Sequence, residues 1–399
     1  MANLGKKERV PMQIRKQWDQ EKTSSLCTLT PKERFGPLPR SRLDFPLRLG
    51  SPPLRSSPFH GYQSEKVRKE LLATQESELT KCPPLNSPRN TLKSAHSLSP
   101  RHFPVSQRHP SSELAVSAYS SATETGSRHG LAKPQNQDSS LICRLEIPSN
   151  PHLFLVCDGH GEFGHLVSAF ATRLFPCYLL EEVEGKEGKR EELLPTAVAQ
   201  AYEQTNAALQ SSQINVEYSG STCVSVLIAR NLLVCGNVGD SRAVLARLSP
   251  KGLTFLPLSQ DHKPDLPQER QRIQALGGRV TAPNHFPASC ARVWFSDFDS
   301  PGLSMSRALG DQRAAQIGII PTPEVLSVRL TEGDLFVLLA SDGVWEFVSS
   351  QEAVEVVYSR LKGGQREQCA QALVDLAGKR WKERSNRSDD ITAIVVLLG

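Results

Sequence analysis

Three times in this chain a carboxylate stands at the end of an apolar run that reads as a buried strand. The runs are Leu153-Phe154-Leu155-Val156-Cys157 before Asp158-Gly159-His160-Gly161, Leu335-Phe336-Val337-Leu338-Leu339-Ala340-Ser341 before Asp342-Gly343, and Ile391-Thr392-Ala393-Ile394-Val395-Val396 after Asp389-Asp390. One Asp-Gly after a strand is most often only a turn. Three carboxylates that converge at strand ends repel one another unless a cation lies between them. Hard oxygen donors with few Cys or His nearby favour magnesium or manganese over zinc.

The rest of the pattern points to mixed structure. Strands are expected at 140–145, 153–157, 222–229, 232–238, 243–248, 335–340 and 391–398, each short and rich in Val, Ile and Leu. Helices are expected at 163–182, 193–211, 267–276, 350–361 and 366–381. Tight turns split the runs between 222 and 248, which favours antiparallel pairing. Strands and helices do not strictly alternate, so the class is α+β.

Further segments accompany the acidic ones: Gln135-Asn136-Gln137-Asp138, Gly220-Ser221-Thr222, Gly236-Asn237-Val238-Gly239-Asp240-Ser241-Arg242, Asp261-His262-Lys263-Pro264, Leu276-Gly277-Gly278 and Ser306-Arg307-Ala308-Leu309-Gly310-Asp311. In this order they resemble the protein phosphatase 2C family, the metal-dependent serine/threonine protein phosphatases, over roughly residues 125–399. The resemblance implies a four-layer αββα fold: two antiparallel β-sheets packed as a sandwich, helices on both outer faces, and the metal site at one end.

The same resemblance implies roles for residues. Asp158 would bridge two Mg²⁺ or Mn²⁺ ions, and the carbonyl of Gly159 would hold one of them. Asp342 and Asp389 would hold the other, and Asp138 would support the site through water. Asp240 and Glu346 match positions that hold a looser third ion. His160 is cast as the general acid that protonates the departing serine or threonine oxygen. Lys133 stands where the family often has an Arg that grips the substrate phosphate; its alternative is a solvated loop lysine. Arg307 is expected to support the scaffold or the flap. Residues 281–301 correspond to a variable flap whose His285, Phe286, Trp294, Phe295 and Phe298 either contact substrate proteins or pin the loop. One departure is Gln137, where many members carry Glu; the missing charge should weaken affinity for one metal.

Composition divides the chain. Residues 1–120 hold 20 Lys+Arg against 10 Asp+Glu, whereas the remainder holds 27 against 32. The first part is Ser- and Pro-rich without sustained periodicity, so 1–120 is expected to be a largely disordered basic tail and 121–399 the catalytic domain. A short helix is expected near 64–75. Thr30, Ser51, Ser57, Ser87 and Ser99 each precede a proline and are candidate kinase sites. The nine cysteines form no close metal-type pairs and are expected to be free thiols.

There is no apolar run of membrane-spanning length and no apolar signal-peptide core at Met1, and residue 2 is Ala, which excludes the myristoylation pattern. An intracellular place, cytoplasm or nucleus, is expected. Partners are expected to be phosphoprotein substrates and the state a monomer. Sparse aromatics in the tail argue against nucleic-acid binding. The competing reading is a silent phosphoprotein-binding regulator on the same fold. Loss of Asp158, Asp342 or Asp389 would favour it, and all three are intact.

Overall fold

The computed structural model describes residues 115–145, 147, 149–183, 190–281 and 291–399. Residues 1–114 of the expected tail, its proline-directed sites, the helix near 64–75, Cys290, His285 and Phe286 lie outside the described residues, as do Cys27 and Cys82. Ten longer strands carry the fold: β1 (Val116–Glu124), β2 (Asp138–Arg144), β3 (His152–His160), β4 (Cys223–Ala229), β5 (Leu232–Val238), β6 (Arg242–Ser249), β7 (Gly252–Pro257), β8 (Glu324–Arg329), β9 (Asp334–Ala340) and β10 (Ile391–Leu398). Five longer helices accompany them: α1 (Gly164–Val183), α2 (Arg190–Gln210), α3 (Pro267–Ala275), α4 (Ser350–Lys362) and α5 (Cys369–Arg384).

One sheet runs β1-β10-β9-β6-β7, and the other runs β2-β3-β4-β5-β8, extended beside β3 by the short strands Gly220–Ser221 and Leu309–Gly310. All the pairings are antiparallel. Alternation along each strand explains why these runs read as continuously apolar. On β3, Leu153, Leu155 and Cys157 face α1 and α2, packing with Phe170, Phe175, Val198 and Tyr202. The intervening Phe154 and Val156 face the other sheet and meet Leu245, Leu339, Ile394 and Val396. On the far side Phe336, Leu338, Ala393 and Val395 pack against Val354, Val357, Leu373 and Val374 of α4 and α5. Both faces of both sheets are thus buried, and the result is the expected four-layer sandwich.

β1 was not expected from the sequence. Its exposed positions alternate with half-buried ones on either side of the buried Ser120, and it pairs with β10 from Val116 opposite Leu398 to Glu124 opposite Ile391. The expected boundary between 120 and 121 falls inside this strand. The last expected helix is also divided: Arg366–Gln368 form a 3-10 turn, and α5 continues to Arg384.

A smaller unit lies beside the sandwich. Strands Gly278–Thr281, Arg292–Phe295 and Pro301–Leu303 form a three-stranded sheet, with Ile273 of α3, Val280, Val293, Leu303 and Ile317 in its core. This is the expected flap. Here Phe295 stacks on Phe298 with ring centroids 4.9 Å apart, and Trp294 lies under the Arg279 guanidinium at 5.9 Å. These contacts fasten the loop to itself, while Phe298 stays 47% exposed.

Candidate active site

Antiparallel register gathers the carboxylates. Asp138, first residue of β2, sits directly opposite Asp158 near the end of β3. Asp342 follows the end of β9, and Asp389 precedes the start of β10; Ala340 pairs with Ala393 at this same end. Asp240 lies in the turn between β5 and β6. Asp138 also links the two sheets, because Ser341 donates its Oγ hydrogen to Asp138 Oδ2 at 2.7 Å while that Oγ accepts from the Thr392 N–H at 3.0 Å.

The charge of the cluster is only partly compensated. Burial pushes the Asp138 carboxyl up to about 7, helped by Asp390 and Asp389 and opposed by hydrogen bonds from Thr392 and Ser341. Burial raises Asp158 well above the carboxylate range, and Asp138, Asp342, Asp389 and Asp240 push it the same way. Asp342 is raised by burial, Asp240 and Asp389, against a pull from Lys263. Among the described residues, one buried oxygen each of Asp138, Asp240 and Asp342 has no hydrogen-bond partner. Among the described residues, no group of three or more His, Cys, Asp or Glu is closed into a ready-made ion site. The donor set nevertheless fits a hard divalent cation: carboxylate oxygens, no thiolate, and orphaned lone pairs in a buried setting.

The backbone around this cluster tolerates little bulk. A Cβ on Gly159 would stand 2.2 Å from the Gly164 carbonyl oxygen and 2.6 Å from that of Gln137. Gln137 itself is structural: its side-chain amide donates to the Gly161 carbonyl at 2.7 Å, and its N–H donates to Asp390 at 2.9 Å. Asp390 is a second structural carboxylate, accepting also from the Gly126 N–H at 2.7 Å.

Lys133 reaches the same corner. Its Nζ lies 2.5 Å from Asp389 Oδ1 and 3.2 Å from Asp390 Oδ2. Burial lowers its affinity for a proton, but Asp389 and Asp390 outweigh that and hold it above its ordinary value. Asp240 is likewise engaged, with Lys263 Nζ at 2.6 Å from Oδ2. Glu346 is exposed, one residue beyond the short helix Asp342–Trp345.

His160 ends β3 and meets a residue that the sequence reading left without a role. Its Nε2 lies 2.6 Å from Oδ2 of the buried Asp311. Burial pulls the imidazole down, yet Asp311 and its hydrogen bond, with Asp240, hold it above its ordinary value. Asp311 has a left-handed φ of 43°, uncommon for a non-glycine residue, and stands just before the short helix Gln312–Ala315 without a side-chain capping bond. The signal was present: Asp311 closes the Ser306–Asp311 segment. Arg307 of that segment is scaffold as expected, donating to Glu269 at 2.8 Å and to the Thr322 carbonyl at 3.0 Å.

Comparison with known proteins decides the family. A family model described as Protein phosphatase 2C matches residues 118–385. The chain belongs to the protein phosphatase 2C family. It is similar to "Probable protein phosphatase 2C 48" of Oryza sativa subsp. japonica, 39% identical over 67% of this chain and 81% of that protein. "Probable protein phosphatase 2C 72" of Arabidopsis thaliana is 36% identical over 67% of this chain and 82% of its own length. Among solved structures, serine-threonine phosphatase 2C from Toxoplasma gondii superposes with a TM-score of 0.62 at 28% identity, over 71% of this chain and 96% of that one. The chain is therefore a metal-dependent protein serine/threonine phosphatase with the expected α+β sandwich. Among the described residues, no helix is long and apolar enough to cross a membrane. Cys143, Cys157, Cys177, Cys223, Cys235 and Cys369 are free thiols.

Proposed function

We propose that this carboxylate cluster binds Mg²⁺ or Mn²⁺ and that the chain uses it to hydrolyse phosphoserine and phosphothreonine in proteins. Asp158 would bridge two ions, the Gly159 carbonyl and Asp342 and Asp389 would complete their hold, and Asp138 would support them. Asp240 and Glu346 would serve a looser third ion. When bound, such ions neutralise the phosphate dianion and favour hydroxide at neutral pH. The observation that carries this reading is the set of orphaned oxygens on Asp138, Asp240 and Asp342 among mutually repelling buried carboxylates.

The chain's own residues supply the remaining chemistry. As the bond between phosphorus and the serine or threonine oxygen breaks, that oxygen needs a proton. Asp311 accepts from His160 Nε2, so the proton available for transfer is the one on Nδ1, which has no hydrogen-bond partner among the described residues. Lys133, whose Nζ lies beside Asp389, would add positive charge next to the substrate phosphate. The products are the free hydroxyl side chain and inorganic phosphate.

The test is phosphate release from a phosphothreonine peptide with Mn²⁺, Mg²⁺ or EDTA. Release with either metal and none in EDTA is expected. Equal release in EDTA contradicts the reading.

A further inference from the structure

A groove of ≈ 670 Å³ opens beside His160, lined by Arg128, Tyr218, Arg292 and the segment from Ser300 to Met305. Its volume suits a few side chains. Its floor is part apolar, from Pro301, Leu303 and Met305, and Tyr218 is 45% exposed at its edge.

The ionisable side chains that line this groove, Arg128, Arg292 and His160, are all basic. Strand Ser127–Arg128 pairs antiparallel with Arg387–Ser388, and Arg128 stands directly opposite Arg387. The register is pinned: the Ser127 N–H donates to Ser388 Oγ at 2.9 Å, and the two serine hydroxyls lie 3.0 Å apart. Directly opposed residues of an antiparallel pair project from the same face, and like charges there are destabilising. Across the groove, Arg292 donates through Nη1 to the Gly302 carbonyl at 2.5 Å. Among the described residues, Arg128, Arg387 and Arg292 have no carboxylate partner. Elsewhere in the fold Arg242 is paired with Asp261, Arg279 with Asp299 and Arg307 with Glu269.

We propose that this groove binds the substrate chain beside the phosphorylated residue and selects an anionic side chain there. The reading rests on the phosphatase activity of the adjoining site. Arg128 and Arg387 form the receptor, Arg292 closes it from the flap, and the occupant is a carboxylate or a second phosphate on the same peptide. An anion between Arg128 and Arg387 relieves their repulsion, so it gains more than an ordinary exposed ion pair would. The substrate class is therefore acidic or multiply phosphorylated segments.

The experiment measures kcat/KM for the full chain on phosphothreonine peptides that carry Ala, Glu, phosphoserine or Lys at each flanking position in turn. At one flank or the other, Glu should raise kcat/KM roughly fivefold over Ala, and phosphoserine should raise it further. The preference should shrink as salt rises. In R128E/R387E it should invert, favouring the Lys peptide, a result that misfolding cannot produce. Equal kcat/KM for the Ala and Glu peptides at every position overturns the proposal, and so does a Glu preference that survives in R128E/R387E. Turnover of p-nitrophenyl phosphate by the unaltered chain separates the two readings. No turnover there contradicts the phosphatase site, whereas turnover without peptide preference contradicts only the groove.

Discussion

His160 Nε2 and Asp311 Oδ2 lie 2.6 Å apart, joining the end of a sandwich strand to a residue 151 positions later in the chain. The carboxylate fixes which imidazole nitrogen is engaged and which is free, and so fixes the direction in which a proton can leave. Under the proposed mechanism Asp311 would be a positioning residue, acting through His160. General acid catalysis contributes about 10²–10⁴-fold where the leaving group is poor. We predict that Asp311→Asn lowers kcat on a phosphothreonine peptide about tenfold or more, and far less on an aryl phosphate whose leaving group needs little protonation. Equal losses on the two substrates would mean that Asp311 only shapes the loop.

Gly220 guards this pair. A Cβ there would stand 2.2 Å from Asp311 Oδ2 and 2.7 Å from His160 Nε2. Gly220→Ala should therefore slow the peptide reaction much as Asp311→Asn does. The double variant should be little worse than either single one, because both break one contact. Multiplying losses in kcat would contradict the shared mechanism.

His262 sets an acid limit on stability. Its Nδ1 accepts from the Gly239 N–H at 3.0 Å. Burial, reinforced by the Arg307 and Arg272 charges and opposed by Glu269, lowers its value to about 4. The unfolded chain binds a proton at ordinary imidazole pH and the folded chain does not. Stability from this group is therefore complete above the ordinary value and is lost as pH falls toward about 4. His262→Asn, which keeps an acceptor for Gly239, should flatten the fall in Tm over that window. An unchanged slope would assign the acid sensitivity elsewhere.

The N-terminal limit of the fold is testable by truncation. Val116 to Ser120 pair with the Leu398 to Val395 stretch of β10, and the buried Ser120 also accepts from the Ala370 N–H at 3.2 Å. A chain beginning at Ala115 should melt near the full-length protein. One beginning at Ser121 should melt at least ~5 °C lower, since each lost kcal/mol shifts Tm by about 2–4 °C at this size. Equal Tm values would show that the first half of β1 is dispensable.

The sandwich strands were legible because burial on both faces forces unbroken apolar runs such as Leu153–Cys157 and Ile391–Leu398. The Asp158, Asp342 and Asp389 segments were legible for the same reason, since each breaks such a run with a charge. β1 was not, because Val116–Glu124 alternates exposed and half-buried positions about the buried Ser120 and carries Ser and Thr in place of Val and Ile. β8 was missed likewise, being an edge strand exposed at Glu324, Leu326 and Ser327. The His160–Asp311 contact and the Arg128–Arg387 opposition depend on register between segments far apart in sequence, which no local pattern reports. Lys133 was read as a phosphate contact, and only the fold reveals that it also ties down Asp389 and Asp390.

On the proposed reading, Asp158 and its neighbours form a cation site whose occupation enables hydrolysis. That reading is tested most directly by calorimetric titration of Mn²⁺ into the chelator-stripped full chain and into Asp158→Asn, with phosphothreonine hydrolysis followed on the same samples. Saturable Mn²⁺ binding and metal-dependent hydrolysis are expected in the unaltered chain. In Asp158→Asn much weaker binding and loss of most activity are expected, because one bridging charge is gone. Unchanged Mn²⁺ affinity and near-normal turnover in Asp158→Asn would contradict that reading.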